Sequence, residues 1–255
     1  LPAEAVMQTR DLASLRRALA TLLVERAVNV LAIAGGDGTV HHTINALLEL
    51  NEEASRHAGQ PLPLPRLLLL NGGTLNIVGR TMQVRGPPER RLKRFLRAFD
   101  GALFRQVPAR RMPMMLVQCG TERPRYGFVF GSEVLHHSIE LYTRFGAGYS
   151  GLSRFLFELS RGALTGSDLW RDESWKLGPF GMPLRVDSRT YPTYAAVVAS
   201  TVDLTLAIGR IRAIRRHELA PGFFAKVITE TQASRVVKLI PALVSEAPAT
   251  GISDH

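Results

Sequence analysis

The stretch Val30-Leu-Ala-Ile-Ala-Gly-Gly-Asp-Gly-Thr-Val-His-His-Thr-Ile-Asn45 decides the fold of this chain. Its first four residues are apolar and predict a buried strand, and its second half carries apolar side chains at helical spacing. The three glycines around Asp37 suit neither element, but they allow a loop whose backbone N–H groups closely approach an anion. A glycine-rich loop of this kind at a helix N-terminus predicts a phosphate site, and the Asp37 carboxylate adds a ligand for magnesium (Mg2+) beside the phosphates.

A second glycine turn follows the next apolar run along the chain. Residues 66–70 predict a strand that is covered on both faces, and Asn71-Gly72-Gly73-Thr74 follows directly, with a short helix after it. Ligands bind at the carboxyl edge of parallel sheets, so the two loops are expected to converge on one nucleotide. The candidate site residues are Gly35, Gly36, Asp37, Gly38, Thr39, Gly72, Gly73, Thr74 and Asn76. The alternative is that both loops are tight strand-to-helix turns without a ligand.

The order of the remaining elements predicts an α/β fold with two domains. Helices at 10–27, 39–50 and 87–99 alternate with the two strands, and residues 51–65 form a polar loop, which indicates a parallel sheet in residues 1–104. Residues 105–255 are predicted to form a mainly antiparallel β domain with helical insertions. Its strands are expected near 107, at 112–118, 126–130, 184–186, 194–199 and 223–229, and its helices at 133–145, 151–159 and 234–244.

The composition indicates a globular chain with an anionic partner. The chain is 45% hydrophobic and 21% charged, and no apolar run approaches the ~20 residues of a membrane span. The net charge is +10, and basic residues cluster at 90–97 and 210–216. These clusters are either solvated faces or sites for phosphates or an anionic membrane surface. Apart from Phe95, no aromatic residue lies within these clusters, so they lack a platform on which bases could stack, which disfavours nucleic acid.

The cysteine content indicates the redox state of the compartment in which the protein resides. Cys119 is the only cysteine, so no disulfide forms within the chain, which fits a reducing compartment such as the cytoplasm. Because Cys119 follows the apolar run at 114–117, we predict that its side chain is buried.

Taken together, the two glycine motifs resemble the catalytic domain of the diacylglycerol kinase family. The resemblance lies in Gly35–Thr39 followed by Asn45, and in Gly73-Thr74-Leu75-Asn76 followed by Arg80. That family includes bacterial lipid kinases and sphingosine kinases, and NAD kinases are more distant relatives. Residues 128–149 and 186–199 are similar to later parts of the family at the level of pattern.

The resemblance implies a function and a set of partners. ATP and Mg2+ would lie between an N-terminal α/β nucleotide domain and a C-terminal β-rich domain that receives a lipid. The γ-phosphate would pass to a hydroxyl of diacylglycerol or of a sphingoid-type lipid, with Asp37 as the catalytic and metal-binding carboxylate. The expected partners are ATP, the lipid, an anionic membrane surface and a second copy of the chain in a homodimer. The expected location is cytoplasmic and peripheral to the membrane.

Departures from the family pattern keep two alternatives open. His41-His42 stands where the family commonly has Asn-Glu, Ile77 where an aspartate follows the second turn, and Pro221 where an aspartate precedes a glycine. The family's first strand and its C-terminal Asp-Gly-Glu motif are expected to lie outside this chain. The first alternative is a catalytically weakened or inactive member that binds nucleotide or lipid. The second is a kinase of a soluble substrate, as in the NAD kinase branch.

Overall fold

The computed structural model has a mixed α/β fold with both parallel and antiparallel sheets, as the sequence predicts. It describes residues 5–73, 76–84, 86–100, 109–146, 148–166, 171–172, 182–206, 211–214, 222–230, 235 and 252–254. The chain divides into two compact units. The first unit comprises Leu1–Arg110 and Leu116–Tyr126, and the second comprises Arg111–Met115 and Gly127–His255. The predicted domain division at residues 104 and 105 stays a prediction, since it falls among residues 101–108, outside the described residues.

The first unit alternates helices and strands. Its elements are α1 (Leu12–Ala20), a π-helical turn (Thr21–Glu25), β1 (Val30–Ile33), α2 (Asp37–Ala58), β2 (Arg66–Leu69), α3 (Ile77–Thr81) and α4 (Pro88–Asp100). Strands β1 and β2 pair in parallel, with Val30 opposite Arg66 and Ile33 opposite Leu69. Because the register has no offset, both strands end at the same edge of the sheet.

Apolar side chains of α1, the π-helical turn and α2 form the core beneath this sheet. Leu19, Leu23 and Leu47 are buried together, and Leu31 of β1 packs against them. The helical spacing of these leucines explains why both segments are amphipathic helices. At the surface, the Arg16 guanidinium pairs with the carboxylates of Glu49 and Glu53, and these ion pairs also join α1 to α2.

Two predictions about the first unit are wrong. Helix α2 continues through residues 51–58, which we predicted as a loop, and it ends before Gly59 in the left-handed conformation. The segment Asn-Glu-Glu-Ala-Ser-Arg-His-Ala contains good helix formers, and the pairing of Arg16 with Glu53 supports it. Strand β2 is not covered on both faces, because Arg66 and Leu67 are exposed at its start. Only its C-terminal half is shielded.

Antiparallel pairing dominates the second unit. Strand β3 (Met115–Val117) begins in this unit, and strand β4 (Arg125–Gly127) ends in it. The elements that follow are β5 (Val129–Gly131), α5 (Val134–Thr143), α6 (Gly148–Thr165), β6 (Leu184–Val186), β7 (Arg189–Tyr191), β8 (Ala196–Ser200), β9 (Leu204–Leu206), β10 (Ile211–Ile214), β11 (Phe224–Ile228) and β12 (Ile252–Asp254). The largest described sheet has the order β12-β11-β8-β5, with every pair antiparallel. All five residues of β8 are buried, so this strand forms the centre of the sheet.

Most predicted elements of the second unit are present. The helices α5 and α6 occur where the pattern indicates, and β6 and β7 form a hairpin whose turn begins at Asp187 with a φ of 51°. The predicted strand near residue 107 and, apart from Arg235, the predicted helix at 234–244 lie outside the described residues. Among the helices of the described chain, none is both long and apolar enough to cross a membrane.

The prediction that Cys119 is buried is wrong, because its side chain is exposed. The apolar strand β3 ends at Val117, and Glu122 then donates its N–H to the Cys119 carbonyl over 2.9 Å in a turn. Gly120 supports this turn with a φ of 52°. Cys119 therefore belongs to the loop between β3 and β4.

Candidate functional site

The two glycine loops lie side by side at the end of the parallel sheet. The pairing of β1 with β2 continues past both strands, because the N–H of Leu70 donates to the Ile33 carbonyl over 3.0 Å. The N–H of Gly72 then donates to the Gly35 carbonyl over 2.8 Å. The parallel register of the strands therefore continues directly into contact between the loops.

Glycine is required where these backbones meet. A Cβ atom on Gly73 would overlap the Cα atom of Gly36, and a Cβ atom on Gly72 would lie 3.1 Å from the Gly35 nitrogen. Both obstacles are backbone atoms that cannot rotate away, so no larger residue fits without separating the loops. Gly38 differs, because a Cβ atom there would meet nothing within 4 Å.

The Asp37 carboxylate forms a second junction between the loops. Its two oxygens accept the backbone N–H groups of Ile77 over 3.0 Å and of Val78 over 3.1 Å. Asp37 thus lies in the first turn of α2 and also satisfies N–H groups at the start of α3. A charged acceptor shortens and strengthens such hydrogen bonds. Asp37 is therefore a structural residue of the loop pair as well as a candidate ligand-binding residue.

Asn76 closes the second loop from within. Its backbone is left-handed, with φ of 49° and ψ of 47°, a conformation that asparagine tolerates better than most residues. Its Oδ1 atom accepts the Gly73 N–H over 3.0 Å, and its Nδ2 atom donates to the Gly73 carbonyl. The Asn76 amide thereby fixes Gly73 beside Gly36. Thr74, which the sequence placed in the same site, lies outside the described residues.

The N-terminus of α2 points backbone N–H groups away from the helix body. Gly36 is the N-cap residue, and no side chain caps this end of the helix. The first N–H groups of a helix have no partner within it, and the helix dipole adds partial positive charge there. Gly38 and Thr39 are exposed in this first turn. The arrangement suits an anionic group such as a phosphate.

Negative charge on the loops comes from Asp37 alone. The sequence has no other acidic residue between Arg26 and Leu48, and none between Arg66 and Pro88. Near the loops, burial lowers the pKa of His41, and the neighbouring His42 and Arg125 lower that pKa further. His41 is therefore a neutral imidazole at neutral pH. Pro221, a further position where the sequence departs from the family pattern, lies outside the described residues.

The positioning roles of two residues were not predicted from the sequence, although Asn45 was named as part of the first motif. Buried Asn45 donates through Nδ2 to the carbonyls of His41 and Tyr126, and its Oδ1 atom accepts the Tyr126 N–H. These bonds attach the first half of α2 to β4. Arg91 of α4 donates to the Leu69 carbonyl over 2.7 Å, at the end of β2. Arg91 lies on the apolar side of its helix, and that spacing was the available signal for its role.

Comparison with known proteins agrees with the resemblance seen in the motifs. Residues 4–101 match the profile of the diacylglycerol kinase catalytic domain, and this range contains both glycine loops. No curated protein matches the chain significantly. A solved structure from Bacillus anthracis str. Sterne, described as a candidate diacylglycerol kinase, is similar with a TM-score of 0.51 and 14% sequence identity. That likeness covers 96% of this chain and 68% of the other, and at this identity it shows the fold alone.

Proposed function

We propose that this chain, whose residues 4–101 match the diacylglycerol kinase catalytic domain, is an ATP-dependent lipid kinase. It would transfer the γ-phosphate of ATP to a hydroxyl of diacylglycerol or of a sphingoid-type lipid. The observation that carries this proposal is the junction of the two glycine loops, in which Gly72 bonds to Gly35 and Asp37 bonds to Ile77 and Val78.

The phosphates of ATP would bind at the N-terminus of α2. The N–H groups of Asp37, Gly38 and Thr39 are available in its first turn, and the helix dipole favours negative charge there. The open space above Gly38 supports this assignment, because packing within the chain gives no reason for a glycine at that position. Thr39 is an exposed residue of the same turn, and its hydroxyl would be a further donor.

Asp37 is the residue that would hold Mg2+. Each of its oxygens accepts one backbone N–H, and a carboxylate oxygen has a second lone pair that stays available. Mg2+ is commonly held by one or two carboxylates together with substrate phosphates and water, so a single carboxylate fits. Mg2+ would neutralise charge on the phosphates, and Asp37 would also keep the two loops together.

The proposal includes a location at the membrane. A net charge of +10 favours an anionic bilayer surface, where the lipid acceptor resides. The chain would work in the cytoplasm and associate with the membrane peripherally. Association into a homodimer stays a prediction from the sequence.

One observation favours a second candidate, a nucleotide-binding protein without turnover. Both oxygens of Asp37 are engaged by backbone donors, and the sequence around the loops offers no second carboxylate as a general base. Removal of the hydroxyl proton is part of phosphoryl transfer to an alcohol, so a site without a base would bind ATP and transfer phosphate slowly.

Phosphate transfer from γ-labelled ATP tests the proposal. The acceptors are diacylglycerol and a sphingoid base, each dispersed in neutral detergent, and NAD as a soluble acceptor. We expect label in the lipid fraction, and we expect Asp37→Asn to lower this transfer by about a hundredfold or more. Asp11→Asn is the matched control, because Asp11 accepts a backbone N–H at the start of α1 and should keep full transfer.

Two other outcomes would assign a different function, and a third would contradict the role of Asp37. Label in NAD alone would identify a kinase of a soluble substrate. ATP binding by calorimetry without label in any acceptor would identify the nucleotide-binding protein without turnover. Equal transfer by Asp37→Asn and the unaltered chain would contradict the role given to Asp37.

A further inference from the structure

Helix α4 presents one face made of cationic side chains. Its exposed basic residues, which we call the cationic face, are Arg90, Lys93, Arg94 and Arg97. Their spacing of three and four residues places them on the same side of the helix. None of the four has an ion pair or hydrogen bond with another described residue. Within the described part of the chain, the cationic face therefore keeps a net positive charge, although Glu89 lies in the first turn of the same helix.

The opposite side of α4 attaches the helix to the sheet. Leu92, Phe95 and Leu96 are partly buried there, and Arg91 reaches from this side to the Leu69 carbonyl over 2.7 Å. Partial burial lowers the pKa of Arg91, whose guanidinium is a partly buried donor, whereas the cations of the cationic face are exposed. The anchor lies at the end of β2, immediately before the Asn71–Gly73 loop. The orientation of the cationic face is thus fixed relative to the proposed phosphate site of the same unit.

We infer that the cationic face of α4 is the surface by which the first unit binds an anionic phospholipid bilayer. Charge complementarity is the reason for this assignment. The four cations extend over about 10 Å of a straight helix, which suits a flat anionic surface. Each basic residue close to such a surface strengthens binding about fivefold, so four together change it by several hundredfold at low salt.

Nucleic acid fits the cationic face less well than a bilayer. Binding of single strands without sequence preference relies on aromatic side chains that stack on bases, and the cationic face has none. The inference rests on the proposed function in one respect only, since a lipid kinase must reach a bilayer. Failure of the bilayer assignment can be distinguished from failure of the proposed kinase function, because phosphate transfer to detergent-dispersed lipid does not require vesicle binding.

Vesicle sedimentation tests this assignment. The probe is vesicles of equal parts phosphatidylcholine and phosphatidylglycerol, compared with vesicles of phosphatidylcholine alone. The variant carries Arg90→Gln, Lys93→Gln, Arg94→Gln and Arg97→Gln, which keep good helix formers on an exposed face. The matched control carries four glutamines at exposed arginines elsewhere, Arg17→Gln, Arg110→Gln, Arg154→Gln and Arg185→Gln. Both variants have the same net charge.

The unaltered chain should bind the anionic vesicles and not the neutral ones. We expect the α4 variant to bind them at least about a hundredfold more weakly, and the control variant to lose less than about tenfold. Equal losses in both variants would show that binding follows net charge and would overturn the assignment. So would absence of binding by the unaltered chain, or binding of duplex DNA through α4 without binding of vesicles. Circular dichroism of both variants confirms that the helices are intact.

Discussion

The backbone N–H of Ile77 donates to the carboxylate of Asp37 over 3.0 Å, across 40 residues of chain. Val78 donates to the other oxygen over 3.1 Å, so one carboxylate in the first turn of α2 accepts two N–H groups at the start of α3. The same pair of loops is joined by the bond from Gly72 to Gly35. The candidate site is therefore a single structure built from two loops, and its geometry depends on a few residues that can be tested individually.

Replacement of Asp37 by asparagine should destabilise the fold. The substitution keeps the shape of the side chain but turns one acceptor oxygen into an NH2 group that faces a backbone donor. We expect the free energy of unfolding to fall by about 1–3 kcal/mol, measured by urea denaturation. Asp11→Asn, where asparagine is an equally good N-cap residue, should leave the urea midpoint nearly unchanged. Identical midpoints for the two variants would contradict the account.

The pair Gly73→Ala and Gly38→Ala separates packing from ligand binding. The new methyl group of Gly73→Ala would press on the Gly36 backbone, so we expect a loss of about 1–3 kcal/mol in stability. The methyl group of Gly38→Ala enters open space in a helix, so thermal stability should hold or rise, by up to about 1 kcal/mol. ATP affinity, measured by calorimetry, should nevertheless fall for Gly38→Ala. Unchanged ATP affinity of Gly38→Ala would contradict the placement of the phosphates at the first turn of α2.

Buried Asn45 should be far more important for stability than Asn51 of the same helix. Asn45→Ala leaves the N–H and carbonyl of Tyr126 without their partner, and we expect a cost of about 2–3 kcal/mol. The Oδ1 atom of Asn51 is buried without a hydrogen-bond partner among the described residues. Asn51→Ala should therefore be neutral or slightly stabilising. Chemical denaturation of both variants decides this, and equal costs would be the contrary result.

His41 should make the fold sensitive to mild acid. Its pKa in the folded chain is lowered, by burial first and then by His42 and Arg125. The unfolded chain therefore binds a proton at His41 at a higher pH than the folded chain does. Stability is fully present above about pH 6.5 and falls as the pH drops below that value toward the folded pKa. His41→Gln should show a smaller loss of melting temperature between pH 7 and 5 than the unaltered chain. An equal loss would count against this role.

The local features of the fold were predictable from the sequence because they depend on nearby residues. Apolar runs identified β1 and β2, glycine clusters identified both loops, and helical spacing identified α4. The parallel order of strands and helices then placed the loops at one edge. Adjacent residues carry this information, so no knowledge of distant contacts was needed.

Other features depend on contacts that a local pattern does not contain. The extension of α2 to Ala58 is supported by an ion pair from Arg16 on another helix. The hydrogen bonds of Asp37 require α3 to begin beside it, which depends on the left-handed backbone of Asn76. Cys119 is exposed because the chain turns after Val117, although the preceding residues are apolar. In each case a distant contact or a turn overrides the local pattern.

The central claim is that both loops form one nucleotide site. Amide NMR tests it most directly, with the chain isotope-labelled at glycine and titrated with MgATP. We predict that the signals of Gly36, Gly38 and Gly73 shift together with one dissociation constant. Gly59 is the internal control, because it follows the 22-residue helix α2 and lies about 33 Å from Gly36. Its signal should stay in place. Shifts in only one of the two loops, or no shift in either at saturating MgATP, would contradict the account.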